Sequence, residues 1–302
     1  MNRDLLVVSP SPHIRSKNTT QRIMLDVILA MLPILVASVV IFGFRAFAVV
    51  ATCVVSCVFF EWGFEKIVKR ESTVLDLSAV VTGILLAFNL PASIPLWQAA
   101  FGSLVAIVVV KQLFGGIGKN FANPAITARI VLLLSFAGSM SDFSTKNDAL
   151  SSATPLAGGT MPSMLDLFLG NHGGSLGETC ALAILLGGAY LLVRRVISWH
   201  TPVVMLATVA LFTFVLGENP AEQLLAGGLL LGAFFMATDY ATTPSTRWGK
   251  ILFGFGCGVI TVLIRVFGNY PEGVSFAILL MNILTPYLEK WTRKRPLGEA
   301  KK

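Results

Sequence analysis

The sequence predicts an all-α polytopic membrane protein, and its composition and its long apolar runs carry this prediction. Hydrophobic residues make up 55% of the 302 residues and charged residues only 13%, and the mean hydropathy is +0.76. A soluble domain carries about 25% charged residues, because its surface must remain in water. A chain with roughly half that share of charge exposes most of its surface to something other than water, and lipid is the simplest candidate.

About ten apolar runs approach the ~20 residues that a helix needs to cross the hydrocarbon core. They lie near residues 23–43, 46–62, 74–90, 96–113, 121–137, 178–193, 202–216, 222–237, 249–267 and 273–290. The fifth run contains Asn123, Pro124 and Arg129, so we predict a broken or re-entrant helix there. Irregular backbone at that depth is tolerated only where protein or water covers it.

The basic residues predict which side of the membrane each connection faces. The chain has 23 Lys and Arg against 16 Asp and Glu, and the basic clusters fall on one side if all ten helices span. Because Lys and Arg are retained in cytoplasmic loops, we expect both termini in the cytoplasm of a multi-pass protein of the inner (cytoplasmic) membrane. The excess of positive charge is thus explained by topology, so no nucleic acid is expected as a partner, and the apolar runs imply membrane lipid. Arg45 and Arg265 are exceptions on the other side. The acidic residues interpreted as ordinary charges at span ends are Asp76, Glu61, Glu65 and Asp26.

The chain divides into five segments on this topology. They are a cytoplasmic N-terminal segment (1–22), a first membrane repeat (23–137), an external loop (138–177), a second membrane repeat (178–290) and a basic cytoplasmic tail (291–302). The repeats are suggested by Phe-Gly pairs at 101–102 and 255–256, each followed nine residues after the glycine by a basic residue, Lys111 or Arg265. The matching segments run in opposite directions, as in inverted five-helix repeats with broken helices, where binding sites form at the repeat interface. The alternative is a chance similarity between two Gly-rich and Phe-rich segments; for Lys111 and Arg265 themselves the alternatives are phosphate partners or snorkelling side chains.

The external loop contains a short motif of small residues. Taken alone, its Ser, Thr, Pro and Gly content is typical of a solvated loop. It resembles, however, the pattern Asp-x-x-Ser-(Gly or Ser)-Ala-Thr, on which an external flavin transferase attaches FMN to threonine through a phosphoester bond. The matching residues are Asp148, Ser151, Ser152, Ala153 and Thr154, with Ser152 where Gly is usual. The resemblance implies that the Thr154 hydroxyl attacks a phosphoryl group and carries a covalent FMN.

Further segments carry a second resemblance, and they are residues 8–17 with 22–27, residues 119–125 and residues 236–244. These segments resemble the family of the D subunit of the Rnf complex, which also contains the B subunit of the sodium-translocating NADH:quinone reductase. The resemblance covers essentially the whole chain. The B subunit is longer at its N-terminus, so the Rnf protein is the closer match.

This resemblance implies a subunit of a redox-driven ion translocase that is not catalytic alone. The complex would pass electrons between reduced ferredoxin and NAD and couple this to movement of Na⁺ or H⁺. The chain would take electrons from the flavin of an external G subunit, lie beside the membrane A and E subunits, depend on the flavin transferase and hold a second, noncovalent riboflavin. No catalytic or metal-binding residue is predicted. A small-solute channel or transporter with inverted repeats and no redox cofactor is the alternative.

Two polar segments at the cytoplasmic ends of broken helices are the predicted site of the second flavin. Asn120 and Asn123 precede the fifth run, and their amides offer the donors and acceptors that suit an isoalloxazine edge. Thr238, Asp239 and Thr242 follow the eighth run; an ionisable residue near the membrane is by default a functional hypothesis. The alternative for Asp239 is a structural turn, because Asp-x-x-Thr-Thr-Pro also favours a turn.

Overall fold

A computed structural model describes residues 19–143, 162–268 and 272–293, and every regular element within these ranges is helical. The all-α fold predicted from the composition is therefore confirmed for this part of the chain. The predicted flavin motif, Asp148 to Thr154, lies outside the described residues.

The first half of the chain forms two long helices followed by several short ones. Its elements are α1 (Thr20–Phe42), α2 (Phe44–Val68), a 3₁₀ turn (Val74–Asp76), α3 (Ser78–Phe88), α4 (Leu96–Leu104), a π-helical continuation of α4 (Val105–Gln112), α5 (Pro124–Ser135) and α6 (Ala137–Met140).

The second half ends in two long helices. Its elements are α7 (Met164–Leu169), α8 (Ala181–Val193), α9 (His200–Val215), α10 (Pro220–Leu225), α11 (Leu229–Leu231) with a π-helical continuation (Gly232–Met236), α12 (Arg247–Phe267) and α13 (Gly273–Thr292).

Helices α1, α2 and α12 are long and apolar enough to cross a membrane. Five further apolar helices of 10–17 residues lie within the described ranges, short of the ~20 residues of a full crossing. The helices coincide closely with the predicted apolar runs, so a membrane protein is supported. The number of ten crossings is not established by helix length.

Two of the predicted runs are interrupted, and asparagine-proline pairs mark where their helices begin. The Asn123 side chain accepts hydrogen bonds from the Ala125 and Ile126 amides, with Pro124 in the first turn of α5. Asn219 caps α10 in the same way, ahead of Pro220. Proline suits this place because the first amides of a helix have no partner within it. The fifth run therefore contains a helix of 12 residues, shorter than the predicted run.

An irregular segment before α8 is buried against the end of α3. Residues 172–179 are buried although they form no helix. The Leu176 and Gly177 amides donate to the carbonyls of Leu90 at 3.0 Å and Phe88 at 2.9 Å, and the Ser38 hydroxyl donates to the Leu176 carbonyl. These bonds satisfy backbone groups that lipid cannot satisfy.

Glycines allow the principal helix pairs to approach closely. Helix α1 packs against α8, and α12 packs against α9. A Cβ added at Gly187 of α8 would lie 2.2 Å from the Ala30 carbonyl oxygen of α1, and one added at Gly254 of α12 would lie 2.8 Å from the Thr201 oxygen of α9. Small residues that bring backbones together are typical of helix association in membranes, where burial of apolar surface gives no driving force.

Alanine at two helical glycines is expected to act in opposite directions. Gly187→Ala places a methyl group against the α1 backbone, and overpacking of this kind costs about 1–3 kcal/mol. Gly63→Ala in α2 meets nothing within 4 Å and is expected to stabilise by about 0.5–1 kcal/mol through lower backbone entropy of the unfolded chain. Thermal unfolding of both variants in detergent checks this. Equal effects at the two positions would contradict the close α1–α8 contact.

Candidate functional site

A cavity opens between the short helices at the end of the molecule that carries the basic connections. Its empty volume is about 840 Å³, including the part open to solvent. Apolar walls come from α1, α3, α8 and the π-helix after α11, through residues such as Met24, Leu85, Leu191, Phe234 and Phe235. The wall residues with polar side chains are Ser78, Thr82, Lys111, Asn120, Asn123, Thr238, Asp239 and Tyr240. The cavity therefore combines a wide apolar surface with a few polar groups.

The structure brings together the two segments that the sequence predicts as the second-flavin site. Asn120, Asn123, Thr238 and Asp239 all line this cavity. Thr242 does not line it; the Thr242 side chain is buried behind the wall and donates to Asp239 Oδ2 at 3.1 Å.

Each of the two asparagines uses one atom of its side-chain amide in hydrogen bonds to the backbone. Asn123 Oδ1 caps α5 at 3.0 and 3.3 Å, and Asn120 Nδ2 donates to the Ala122 carbonyl at 3.1 Å. Within the described residues, neither Asn123 Nδ2 nor Asn120 Oδ1 has a hydrogen-bond partner. One donor and one acceptor thus remain for a ligand, as an isoalloxazine edge requires.

Asp239 lies in a turn and also borders the cavity. Its carboxylate accepts from the Ala241 amide at 3.3 Å and from the Thr242 hydroxyl, which is the geometry of a turn. It also lines the cavity. The turn interpretation and the ligand interpretation are therefore compatible.

Asn282 of α13 connects the two polar segments, and it was missed from the sequence. Its amide accepts from the Asn123 backbone N–H at 3.1 Å and donates to the Thr242 carbonyl at 3.2 Å. The Thr285 hydroxyl donates to the same carbonyl at 2.8 Å. The sequence signal by which Asn282 was detectable is an asparagine within an apolar run.

Lys111 joins the cavity wall to a buried group of carboxylates. Its ammonium group lies 2.8 and 2.9 Å from the two Glu61 carboxylate oxygens and 2.6 Å from the Ser78 hydroxyl. Lys111 and Glu61 are 3% and 0% exposed. The interpretation of Lys111 as a snorkelling side chain is therefore wrong, and so is the interpretation of Glu61 as an ordinary charge at the end of a span. Glu65, also buried, binds the Thr73 amide at 3.1 and 3.2 Å. Buried charges need partners of this kind, because desolvation otherwise costs several kcal/mol per ion.

A second buried group of charges is centred on Arg129 of α5. Its guanidinium lies 3.0 Å from Glu178 and 2.8 Å from Glu272, and it donates to the Asn89 amide oxygen at 3.3 Å and the Ser275 hydroxyl at 2.6 Å. These partners come from the end of α3, the buried segment before α8 and the start of α13. Arg129 lies six residues beyond Asn123, ~9 Å along the helix. The sequence marked Arg129 only as a sign of a broken helix.

The two exceptions to the charge asymmetry bind backbone at helix interruptions. Arg265 donates to the Gln223 carbonyl at 2.7 Å and the Ala226 carbonyl at 3.2 Å, where α10 ends. Arg45 donates to the carbonyls of Ala92 at 3.3 Å and Ile94 at 3.2 Å, between α3 and α4. Helix ends leave carbonyl groups without partners, and Arg265 satisfies two of them at the end of α10, whereas Arg45 satisfies carbonyls of the irregular connection between α3 and α4. Arg265 is buried, so the snorkelling interpretation is wrong for it as well.

Removal of the Arg129 guanidinium is expected to destabilise the chain. Arg129→Ala leaves Glu178 and Glu272 without their shared cation, and a broken buried pair costs about 3–5 kcal/mol. The exposed Arg247→Ala serves as the control and is expected to change stability by less than about 0.5 kcal/mol. Retention of the monodisperse peak during heating in detergent provides the measurement.

Neutralising the two carboxylates as well, in Arg129→Met/Glu178→Gln/Glu272→Gln, is expected to recover part of the loss. A triple variant as unstable as Arg129→Ala would show that the loss does not come from uncompensated charge.

These features define the chain as an all-helical membrane protein with charges paired in its interior and a ligand-sized cavity at broken helices. A family model described as the NQR2, RnfD, RnfE family matches residues 7–298. The chain belongs to this family.

Curated relatives match over almost the full length of both chains, and each is named as the D subunit of its complex. The identity is 49%, over 100% of this chain and 98% of the relative, with the protein of the Na(+)-translocating ferredoxin:NAD(+) oxidoreductase complex of Acetobacterium woodii. It is 38%, over 99% and 98%, with that of the proton-translocating ferredoxin:NAD(+) oxidoreductase complex of Clostridium ljungdahlii. It is 37%, over 93% of each chain, with that of the ion-translocating oxidoreductase complex of Stutzerimonas stutzeri.

Proposed function

We propose that this chain is the electron-carrying membrane subunit of an ion-translocating ferredoxin:NAD oxidoreductase complex. The names of its relatives support a place in such a complex. The observation that carries the electron-transfer role is the cavity, because it gathers Asn120, Asn123, Thr238 and Asp239 from segments far apart in sequence. The subunit transfers electrons only together with its partners, which are the external G subunit and the membrane A and E subunits.

We infer a topology of ten crossings in two inverted five-helix repeats, at residues 23–137 and 178–290. The first helices of the repeats, α1 and α8, pack against each other, and so do the last helices, α5 and α13. Such pairing is expected when two halves are related by an axis in the membrane plane. The basic connections then face the cytoplasm, with both termini, in the inner membrane. The segment that contains Thr154 faces outside.

The proposal includes two flavins on opposite sides of the membrane. An external flavin transferase attaches FMN to Thr154 through a phosphoester bond, and the covalent flavin receives electrons from the G subunit. A noncovalent riboflavin occupies the cavity and supplies reversible electron acceptance there. The chain's own part is to bind the polar edge through Asn120 and Asn123, to offer Asp239 to the ribityl hydroxyls and to exclude water with the Phe234 and Phe235 side chains.

A small-solute channel agrees less well with the charge distribution. Such a channel needs a polar path between the repeats. Within the described residues, the side chains where the halves meet include Arg129, Glu178 and Glu272, and their charges are paired with one another. A channel also has no use for the Asp148–Thr154 motif.

The covalent flavin is tested by removal of its attachment residue. The chain produced with the flavin transferase is expected to gain one FMN-sized mass increment on the peptide that contains Thr154, and to fluoresce in a denaturing gel. Thr154→Ala is expected to lose both signals completely, because alanine has no hydroxyl to form the phosphoester. Thr160→Ala, in the same loop, is the control and retains them. Fluorescence that persists in Thr154→Ala would overturn the attachment site.

The cavity is tested by filling it. Val81 on α3 lines the cavity, so Val81→Trp is expected to weaken riboflavin binding at least about tenfold, or ~1.4 kcal/mol. Val203 on α9 is 49% exposed and outside the cavity wall, and Val203→Trp is expected to bind riboflavin like the parent chain. Fluorescence quenching of riboflavin by the detergent-purified chain measures both. Equal affinities in the two variants would place the riboflavin elsewhere.

A further inference from the structure

The Lys111–Glu61 pair is the ion pair that borders the cavity. Lys111 and its partner Ser78 both line the wall, whereas Glu61 lies behind them, on α2. Glu61 Oε1 also accepts from Gln112 Nε2 at 3.0 Å and from the Thr73 hydroxyl at 3.0 Å. The ammonium group is therefore held at the cavity, and the Glu61 carboxylate balances its charge from the side away from the cavity.

Other groups around the cavity contribute opposing potentials. The N-termini of α3 and α5 border it at Ser78 and Asn123, and helix N-termini favour negative charge. The Asp239 carboxylate, on the opposite segment, disfavours a negative charge in the cavity. Among the described residues that line the cavity, Lys111 is the cationic side chain. Its effect on an occupant depends on how completely Glu61 cancels it.

A flavin changes its charge when it is reduced. Two electrons and one proton convert the neutral oxidised isoalloxazine ring into a reduced monoanion. Lys111 thus has little charge to act on in the oxidised state and a full negative charge in the reduced state. In a buried site the interaction is screened much less than in water.

We propose that Lys111 and Glu61 act as positioning residues with opposite effects, Lys111 favouring the reduced flavin in the cavity and Glu61 restraining that preference. The proposal rests on the proposed riboflavin site and adds to it the groups that set the reduction potential. Electrons for the bound flavin come from the covalent FMN in the complex, and from dithionite in the test below.

The two charges predict shifts of opposite sign. Lys111→Met removes the cation and leaves Glu61, so the ratio of affinities for reduced over oxidised riboflavin is expected to fall at least about tenfold. Glu61→Gln keeps the shape and the hydrogen-bond acceptor but uncovers the ammonium charge, so the same ratio is expected to rise at least about tenfold. Lys111→Arg preserves the charge and is expected to stay near the parent value. Damage to folding alone does not produce shifts of opposite sign.

The measurement uses the full-length chain with Thr154→Ala, purified in detergent without covalent flavin. Riboflavin is titrated anaerobically, once oxidised and once after reduction by dithionite, and the midpoint potential of the bound riboflavin provides an independent value of the same ratio. Lys119→Met is the matched control, because Lys119 is exposed on the neighbouring loop and solvent screens its charge. It is expected to leave the ratio unchanged.

Two results would overturn the inference, and they are distinguishable. If the parent chain binds riboflavin but Glu61→Gln and Lys111→Met leave the ratio unchanged or shift it in the same direction, the role of the pair is wrong and the cavity stands. If the parent chain binds no riboflavin in either state, the cavity assignment fails and the role of the pair fails with it. If Lys111→Met does not fold, Glu61→Gln compared with Lys111→Arg still gives the sign of the change in the ratio of affinities.

Discussion

The interaction on which the structure depends is that of Arg129 with Glu178 and Glu272. A guanidinium in an apolar interior is tolerated only when carboxylates and hydrogen-bond acceptors surround it. The partners of Arg129 come from the end of α3, the buried segment before α8 and the start of α13. One charged side chain therefore connects α5 to the end of a short helix, to an irregular buried segment and to the start of the long helix α13. Arg265 and Arg45 donate hydrogen bonds to backbone carbonyls where other helices are interrupted.

Interrupted helices explain why a cavity exists where it does. Helices α3 and α5 have only 11 and 12 residues, and their first residues, Ser78 and Pro124, line the cavity. Their first turns, the turn at Asp239 and the end of the π-helix at Gln112 then surround a space with polar groups on its rim. Asn282 holds two of these segments in register from α13. The Arg129 group and the cavity are thus linked through α5, which carries Arg129 and begins at the cavity wall.

The sequence predicted the helices well because hydrophobic runs are a local property. The bounds of α1, of α12 and of α4 together with its π-helical continuation agree with their apolar runs to within a few residues, and Asn123-Pro124 marks the start of a short helix. Asn120, Asn123, Thr238, Asp239 and Thr242 were grouped because they are polar residues at the cytoplasmic ends of broken helices, whereas the second flavin itself was implied by the family resemblance. Only the structure shows that Asn120, Asn123, Thr238 and Asp239 line one cavity.

What the sequence did not predict are the pairings between distant helices. Glu61 looked like an ordinary charge at the end of a span, yet it is fully buried beside Lys111, 50 residues along the chain. Glu178 and Glu272 gave no signal at all, because a carboxylate near an apolar run has the same appearance whether it faces water or an arginine. Asn282 was overlooked because a single polar residue does not interrupt a hydrophobic pattern. Each of these roles depends on which helix lies opposite.

The central claim is that the Thr154 segment and the cavity lie on opposite faces of the membrane, so that electrons must cross it between them. Single cysteines at Leu150 and at Glu71, in a chain whose four native cysteines are replaced by serine, test this with a membrane-impermeant maleimide. In right-side-out vesicles the account predicts labelling at position 150 and protection at position 71, with the reverse pattern in inverted vesicles. Labelling of both positions from the same side would contradict it.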